Sequence, residues 1–162
     1  LGGDIAVRSS GPDGTTLSVA LPLAGTAAVA PEAGPGAAGT TILLVEDQEH
    51  VMGALVRQLT GFGHRVLTAR NGLAALSILA EREVDVVVSD VVMPELGGFE
   101  LARLLRARMP PVPVLLMTGF VDEPKAVPEG VPVLQKPFLP RELAYQIQRL
   151  LLARRGARVS EA

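Results

Sequence analysis

Two hydrophobic rhythms divide the chain. Over the first 23 residues, apolar and polar positions alternate on both sides of Gly11-Pro12-Asp13-Gly14, with Ile5 and Val7 on one arm and Leu17, Val19 and Leu21 on the other. A period of two around such a turn predicts a β-hairpin. Two strands alone are marginal in water, so the hairpin is expected to belong to a larger sheet. Residues 24 to 39, AGTAAVAPEAGPGAAG, contain mainly Ala, Gly and Pro with one charge. They cannot bury a core and predict a flexible linker.

From Thr40 the rhythm changes. Apolar runs at 42–45, 66–67 within HRVLTA, 84–88, 114–117 and 131–134 predict strands. Between and after them, 49–60, 71–82, 98–108 and 139–154 carry apolar residues at helical spacing, as in Leu101, Leu104, Leu105 and in Leu143, Ile147, Leu150, Leu151. Asn71 is a candidate helix cap, and Pro110-Pro111 close the third helix. Strands alternating with helices predict an α/β fold: a doubly wound, five-stranded parallel sheet with helices on both faces. Ligands of such sheets bind at the carboxyl ends of the strands.

Composition narrows the chemistry. With 162 residues, 48% of them apolar, one domain with something appended can build a core. The absence of cysteine excludes disulfides, thiolate metal sites and Cys nucleophiles, and fits a cytoplasmic location. A net charge of −2, one tyrosine and no tryptophan argue against nucleic acid as a partner. The uncharged stretch from Gly14 to Pro31 is interrupted by Pro22 and Gly25, so no membrane contact is expected from it. The first residue is Leu1 rather than Met, as in a fragment of a longer protein.

Four of the five predicted strands end on polar residues: Glu46-Asp47, Asp90, Thr118 and Lys136. In a parallel sheet these ends share one edge. Three crowded carboxylates repel unless a cation intervenes, and hard oxygen ligands select Mg2+, which keeps waters that a phosphoryl oxygen can replace. Lys136 offers a positive charge and Thr118 a donor, which leaves Asp90 as a nucleophile for aspartyl-phosphate formation.

At these residues the chain from about 40 to 155 resembles the receiver domain of two-component response regulators. ILLVEDQEHV matches the acidic pair, VDVVVSDVVMPELGGFEL the phosphoacceptor, VLLMTG the hydroxyl residue and VLQKPF the lysine. The resemblance implies a flavodoxin-like fold in which Asp90 accepts phosphoryl from the phosphohistidine of a histidine kinase or phosphotransfer protein. It also implies that Asp47, Asp90 and the Val92 carbonyl bind magnesium, that Glu46 assists through water, and that Thr118 and Lys136 contact the phosphoryl group. Such a domain catalyses its own phosphorylation and dephosphorylation without being a turnover enzyme. Residues 1–23 resemble the closing strands of a histidine-kinase ATP-binding domain, which implies the C-terminal receiver of a hybrid sensor kinase. Residues 156–162 are expected to form a disordered tail.

The sequence departs from the family twice. Pro124, Pro128 and Pro132 between Thr118 and Lys136 predict that the fourth helix is short or absent. Val133 stands where many receivers carry a Tyr or Phe that moves on activation. The nearest rival functions fit less well. An aspartyl phosphohydrolase commonly places a second aspartate two residues after the nucleophile, where this chain has Val92, and the acidic loop after the first strand of the sheet would repel a flavin phosphate. A pseudo-receiver would lack some of the acidic or basic residues, all of which are present. His50 is expected at the surface and His64 in a structural role. Arg149, Arg154, Arg155 and Arg158 are expected to complement the last helix's dipole.

Overall fold

The computed structural model describes residues 4–11, 14–20, 39–108, 112–119 and 127–160. The chain divides into two compact units, Leu1–Glu32 and Ala33–Ala162. In the first, β1 (Asp4–Gly11) and β2 (Gly14–Ala20) form an antiparallel pair. Ile5 lies opposite Val19 and Val7 opposite Leu17, with the register shifted between Val7 and Ser9. The turn residues Pro12 and Asp13, and residues 24–38 of the expected linker, lie outside the described residues.

The second unit runs β3 (Thr41–Val45), α1 (Glu49–Gly61), β4 (Arg65–Ala69), α2 (Gly72–Glu81), β5 (Val86–Asp90), α3 (Gly98–Arg108), β6 (Val114–Thr118), β7 (Val133–Gln135) and α4 (Pro140–Ser160). The five strands are parallel in the order β4-β3-β5-β6-β7. Alternation within the strands divides the core. Leu43, Val45, Val87 and Leu116 pack on α2 and α3 through Ala75, Leu79, Leu101 and Leu105. Ile42, Leu44, Val86, Val88, Leu115 and Met117 pack on α1 and α4 through Leu55, Leu59, Leu143 and Ile147. Strands covered on both faces need apolar residues at every position, which is why β5 and β6 read as unbroken valine and leucine runs. Strand order reverses between β3 and β5, the switch point at which sheets of this kind bind ligands.

Several element limits differ from those read in the sequence. β5 begins at Val86 rather than Val84, because the Asp85 carboxylate accepts the Thr41 amide at 2.9 Å and stands in for a strand carbonyl. Asp90 thereby becomes the last residue of the strand. β7 starts at Val133 rather than Val131, since the Val131 amide turns back to the Pro128 carbonyl and Pro132 has no donor. In the segment expected to carry a reduced helix, residues 120–126 lie outside the described residues, and Glu129-Gly130 form a turn.

The C-terminal end also needs correction. α4 continues to Ser160, so residues 156–160 of the expected tail are helical, while 161 and 162 lie outside the described residues. Arg154 is a tertiary tie rather than a dipole complement. Its Nη1 donates to the carbonyls of Val84 and Asp85 at 3.1 and 2.6 Å and pairs with the Asp85 carboxylate at 3.5 Å. Arg149 lies over the Tyr145 ring, and the side chains of Arg155 and Arg158 lie outside what is described.

His50 is exposed in the first turn of α1. His64 is buried after Gly63, whose φ of +85° suits glycine, and its Nδ1 has no hydrogen-bond partner. Burial lowers the His64 pKa below its usual value. The unfolded chain therefore binds a proton at His64 more readily than the folded one, so stability from this site is full above a pH of about 6.5 and is lost as the pH falls toward the lower folded pKa. Relative to His64→Gln, the wild type should lose unfolding free energy as the pH falls below about 6.5. Urea titrations of both proteins that stay parallel below that pH would contradict it.

Candidate functional site

The carboxyl edge of the sheet gathers the polar residues. β3 delivers Glu46 directly after its last valine, and the Glu46 amide extends the ladder by donating to the Ala69 carbonyl at 3.1 Å. The Glu46 side chain is fully buried. Its Oε2 accepts from Lys136 Nζ at 3.0 Å and its Oε1 from the Gln48 amide at 3.2 Å. Burial raises the Glu46 pKa, opposed by the hydrogen bonds from Lys136 and Gln48.

β5 delivers Asp90 beside it. Asp90 Oδ1 accepts the Val91 amide at 2.9 Å, and Oδ2 lies 3.3 Å from Lys136 Nζ. Lys136 therefore bridges two carboxylates from neighbouring strands. It follows β7 on a cis peptide bond to Pro137, and its amide donates to the Thr118 carbonyl at 2.6 Å. Thr118 is buried at the end of β6. Beside it, an added Cβ on Gly119 would meet nothing within 4 Å.

One oxygen from each of Glu46, Asp47 and Asp90 falls within a 4.8 Å span, the only such acidic grouping among the described residues. Asp47 Oδ1 is buried without a hydrogen-bond partner. A buried carboxylate oxygen with no donor is costly unless a cation completes it. These residues thus fit a small divalent ion, with Asp47 offering the uncommitted ligand while both Glu46 oxygens are already engaged.

Val92 is 74% exposed, at the start of the loop between β5 and α3. The loop is anchored by bonds that no local sequence pattern signals. Gly98 donates to the Val91 carbonyl at 3.0 Å, and Gly72, opening α2, donates to the Leu96 carbonyl at 3.0 Å. Glu95 has a φ of +65°, which only a few per cent of non-glycine residues adopt. Asn71 caps α2 by accepting the Ala74 amide at 2.8 Å, and its Nδ2 donates to Glu95 Oε2 at 2.8 Å. The cap was legible; the partner 24 positions away was not.

Known proteins resemble this chain in sequence and fold. The profile of the response regulator receiver domain matches residues 42–148. The chain is 39% identical over 119 residues to the sensor kinase CckA of Brucella abortus, an alignment that takes in 68% of this chain and 12% of that protein. It is 34% identical over 116 residues to the response regulator receiver protein CpdR of the same organism, across 69% of this chain and 97% of that one. Among solved structures, the receiver domain of a signal transduction histidine kinase from Syntrophus aciditrophicus matches with a TM-score of 0.65 and 31% identity, covering 70% and 91% of the two chains. The response regulator TrrA of Thermotoga maritima, in complex with Mg2+ and BeF, matches at 0.63 and 26%, covering 69% and 99%. A doubly wound sheet with acidic residues and a lysine at its switch point, and a family profile spanning nearly the whole of it, lead to one assignment: the chain belongs to the response regulator receiver domain family.

Proposed function

We propose that Asp90 is the phosphoacceptor of this receiver, that Asp47, Asp90 and the Val92 carbonyl hold a magnesium ion with Glu46 acting through water, and that Thr118 and Lys136 contact the phosphoryl group. The observation that carries this reading is Lys136 Nζ lying 3.0 Å from buried Glu46 and 3.3 Å from Asp90, beside the unpartnered Asp47 oxygen. When bound, the metal neutralises phosphoryl charge in the way phosphoryl transfer requires. Asp90 attacks phosphorus, a P–O bond forms, and the P–N bond to the donor imidazole breaks with its electron pair leaving on nitrogen. Lys136 holds the nucleophile in place and supplies charge to the incoming oxygens.

The donor in this reading is the phosphohistidine of a kinase domain, in cis or trans, or of a phosphotransfer protein. The hairpin over 4–20 and the likeness to a sensor kinase support a hybrid-kinase parent with a cytoplasmic receiver. No helix among the described residues is long and apolar enough to cross a membrane. Val133, half-buried in β7 against the α2/α3 core, leaves no ring to rotate on phosphorylation. Mass spectrometry after incubation with acetyl phosphate and magnesium tests the proposal: one added phosphoryl group on Asp90 is expected, and its location elsewhere would overturn it.

The ligand roles separate by mutation. Glu46→Ala should weaken magnesium binding about 10- to 100-fold, the usual effect of removing an outer-shell group, and Asp47→Ala should weaken it further. Calorimetric titration giving equal losses would contradict these roles.

A further inference from the structure

We propose that Asn71 and Glu95 are positioning residues for the phosphorylation site, forming a clasp that turns the loop after Asp90 into a rigid wall. The loop closes on itself where Gly98 bonds to the Val91 carbonyl, the residue directly after Asp90. That closed loop is tied to α2 at two adjacent points, by the Asn71 Nδ2 bond to Glu95 Oε2 and the Gly72 amide bond to the Leu96 carbonyl. The fit is tight: an added Cβ on Gly72 would lie 2.7 Å from the Leu96 carbonyl oxygen and side chain. Glu95 holds a left-handed conformation although it is not glycine, and such a conformation persists only where its surroundings over-determine it. Asn71 uses both ends of its amide, the oxygen to cap α2 and the nitrogen to hold Glu95. A residue needed only as a cap could equally be Ser or Asp, neither of which carries a side-chain amide nitrogen to donate across to Glu95.

The clasp rests on the assignment of Asp90 and the loop to the magnesium site. It holds the wall carried by Val91–Gly98 against α2.

Asn71→Ser keeps an oxygen for the Ala74 amide and removes the bridge, and Asn71→Asp keeps the cap while placing a like charge against Glu95. Glu95→Gln preserves an acceptor for Asn71. In the full chain, NMR titration with magnesium chloride gives the dissociation constant, and amide exchange at Gly72 and Gly98 reports the clasp itself. For Asn71→Ser, both amides should exchange about three- to fivefold faster and the dissociation constant should rise by a similar factor, the scale of one lost hydrogen bond. Asn71→Asp should do more, and Glu95→Gln should remain within about twofold of wild type on the same scale. Because a domain stays almost wholly folded after losing one such bond, a changed dissociation constant reads geometry rather than folded fraction. Wild-type exchange and affinity in both Asn71 variants would overturn the clasp, as would a Glu95→Gln variant as impaired as Asn71→Ser. A wild type that binds no magnesium would overturn the functional assignment and the clasp together, whereas binding unchanged by the Asn71 substitutions overturns the clasp alone.

Discussion

Replacing Asp90 by asparagine is expected to abolish phosphoryl uptake while leaving the fold in place. The substitution is nearly isosteric, and Asn Oδ1 can still accept the Val91 amide that Asp90 now receives at 2.9 Å. It removes the proposed anionic nucleophile and one charge of the acidic cluster. It also leaves Lys136 with Glu46 as its one remaining carboxylate partner, which should tighten that pair rather than free it. The variant should therefore unfold within about 1 kcal/mol of wild type, inside the range of ordinary point substitutions. Mass spectrometry with acetyl phosphate and magnesium should show no added phosphoryl group. A gain on the variant, mapped to another residue, would remove Asp90 from its proposed role.

The second large effect is expected at Gly98, which opens α3. A Cβ built there would collide with the Asp90 carbonyl oxygen and come within 3.0 Å of the Asp90 carbonyl carbon and Val91 Cα. All of these are backbone atoms, with no flexible side chain to yield. Gly98→Ala must push α3 outward or displace Asp90, and overpacking of this kind costs about 1–3 kcal/mol. Either adjustment disturbs the carboxylate proposed to attack, so the initial rate of phosphorylation should fall with stability. Gly119→Ala is the matched control, since nothing lies within 4 Å of its added Cβ. It should change stability by no more than about 0.5 kcal/mol. Urea unfolding in which both variants behave alike would show that the close approach at Gly98 relaxes without cost.

What the sequence made legible was what local pattern carries. The alternation of apolar runs with helical spacing was sufficient for the sheet and its helices, and Asn71 was recognisable as a cap from its place before an apolar helix. Glu46, Asp47, Asp90 and Lys136 could be picked out because charged residues directly after apolar runs have few structural reasons to be there. The misses share a physical cause: each depends on a partner distant in sequence. Val84 looks like strand because it is apolar and buried, yet the ladder waits until Val86, since Asp85 is engaged by Thr41 and Arg154. Arg154 offers no local sign that it reaches back to the chain before β5. Helical spacing is legible only to 154, but α4 continues to Ser160. Glu95 in isolation is one more exposed loop carboxylate.

The order β4-β3-β5-β6-β7 has a kinetic side. β3 can pair with β4 across one short helical crossover, but β3 meets β5 only after a connection of some forty residues has closed, and β7 with Lys136 joins last in sequence. Non-local parallel pairing of this kind is the slow part of folding. Asp47, Asp90 and Lys136 are 43 and 46 positions apart in turn, so no partly zipped sheet holds all three. Chains caught midway expose the valine and leucine runs of β5 and β6 without the carboxylate cluster that a metal could stabilise. Phosphoryl uptake at the proposed site is thus expected only from chains whose sheet is complete, which would make the phosphorylated form a marker of finished folding.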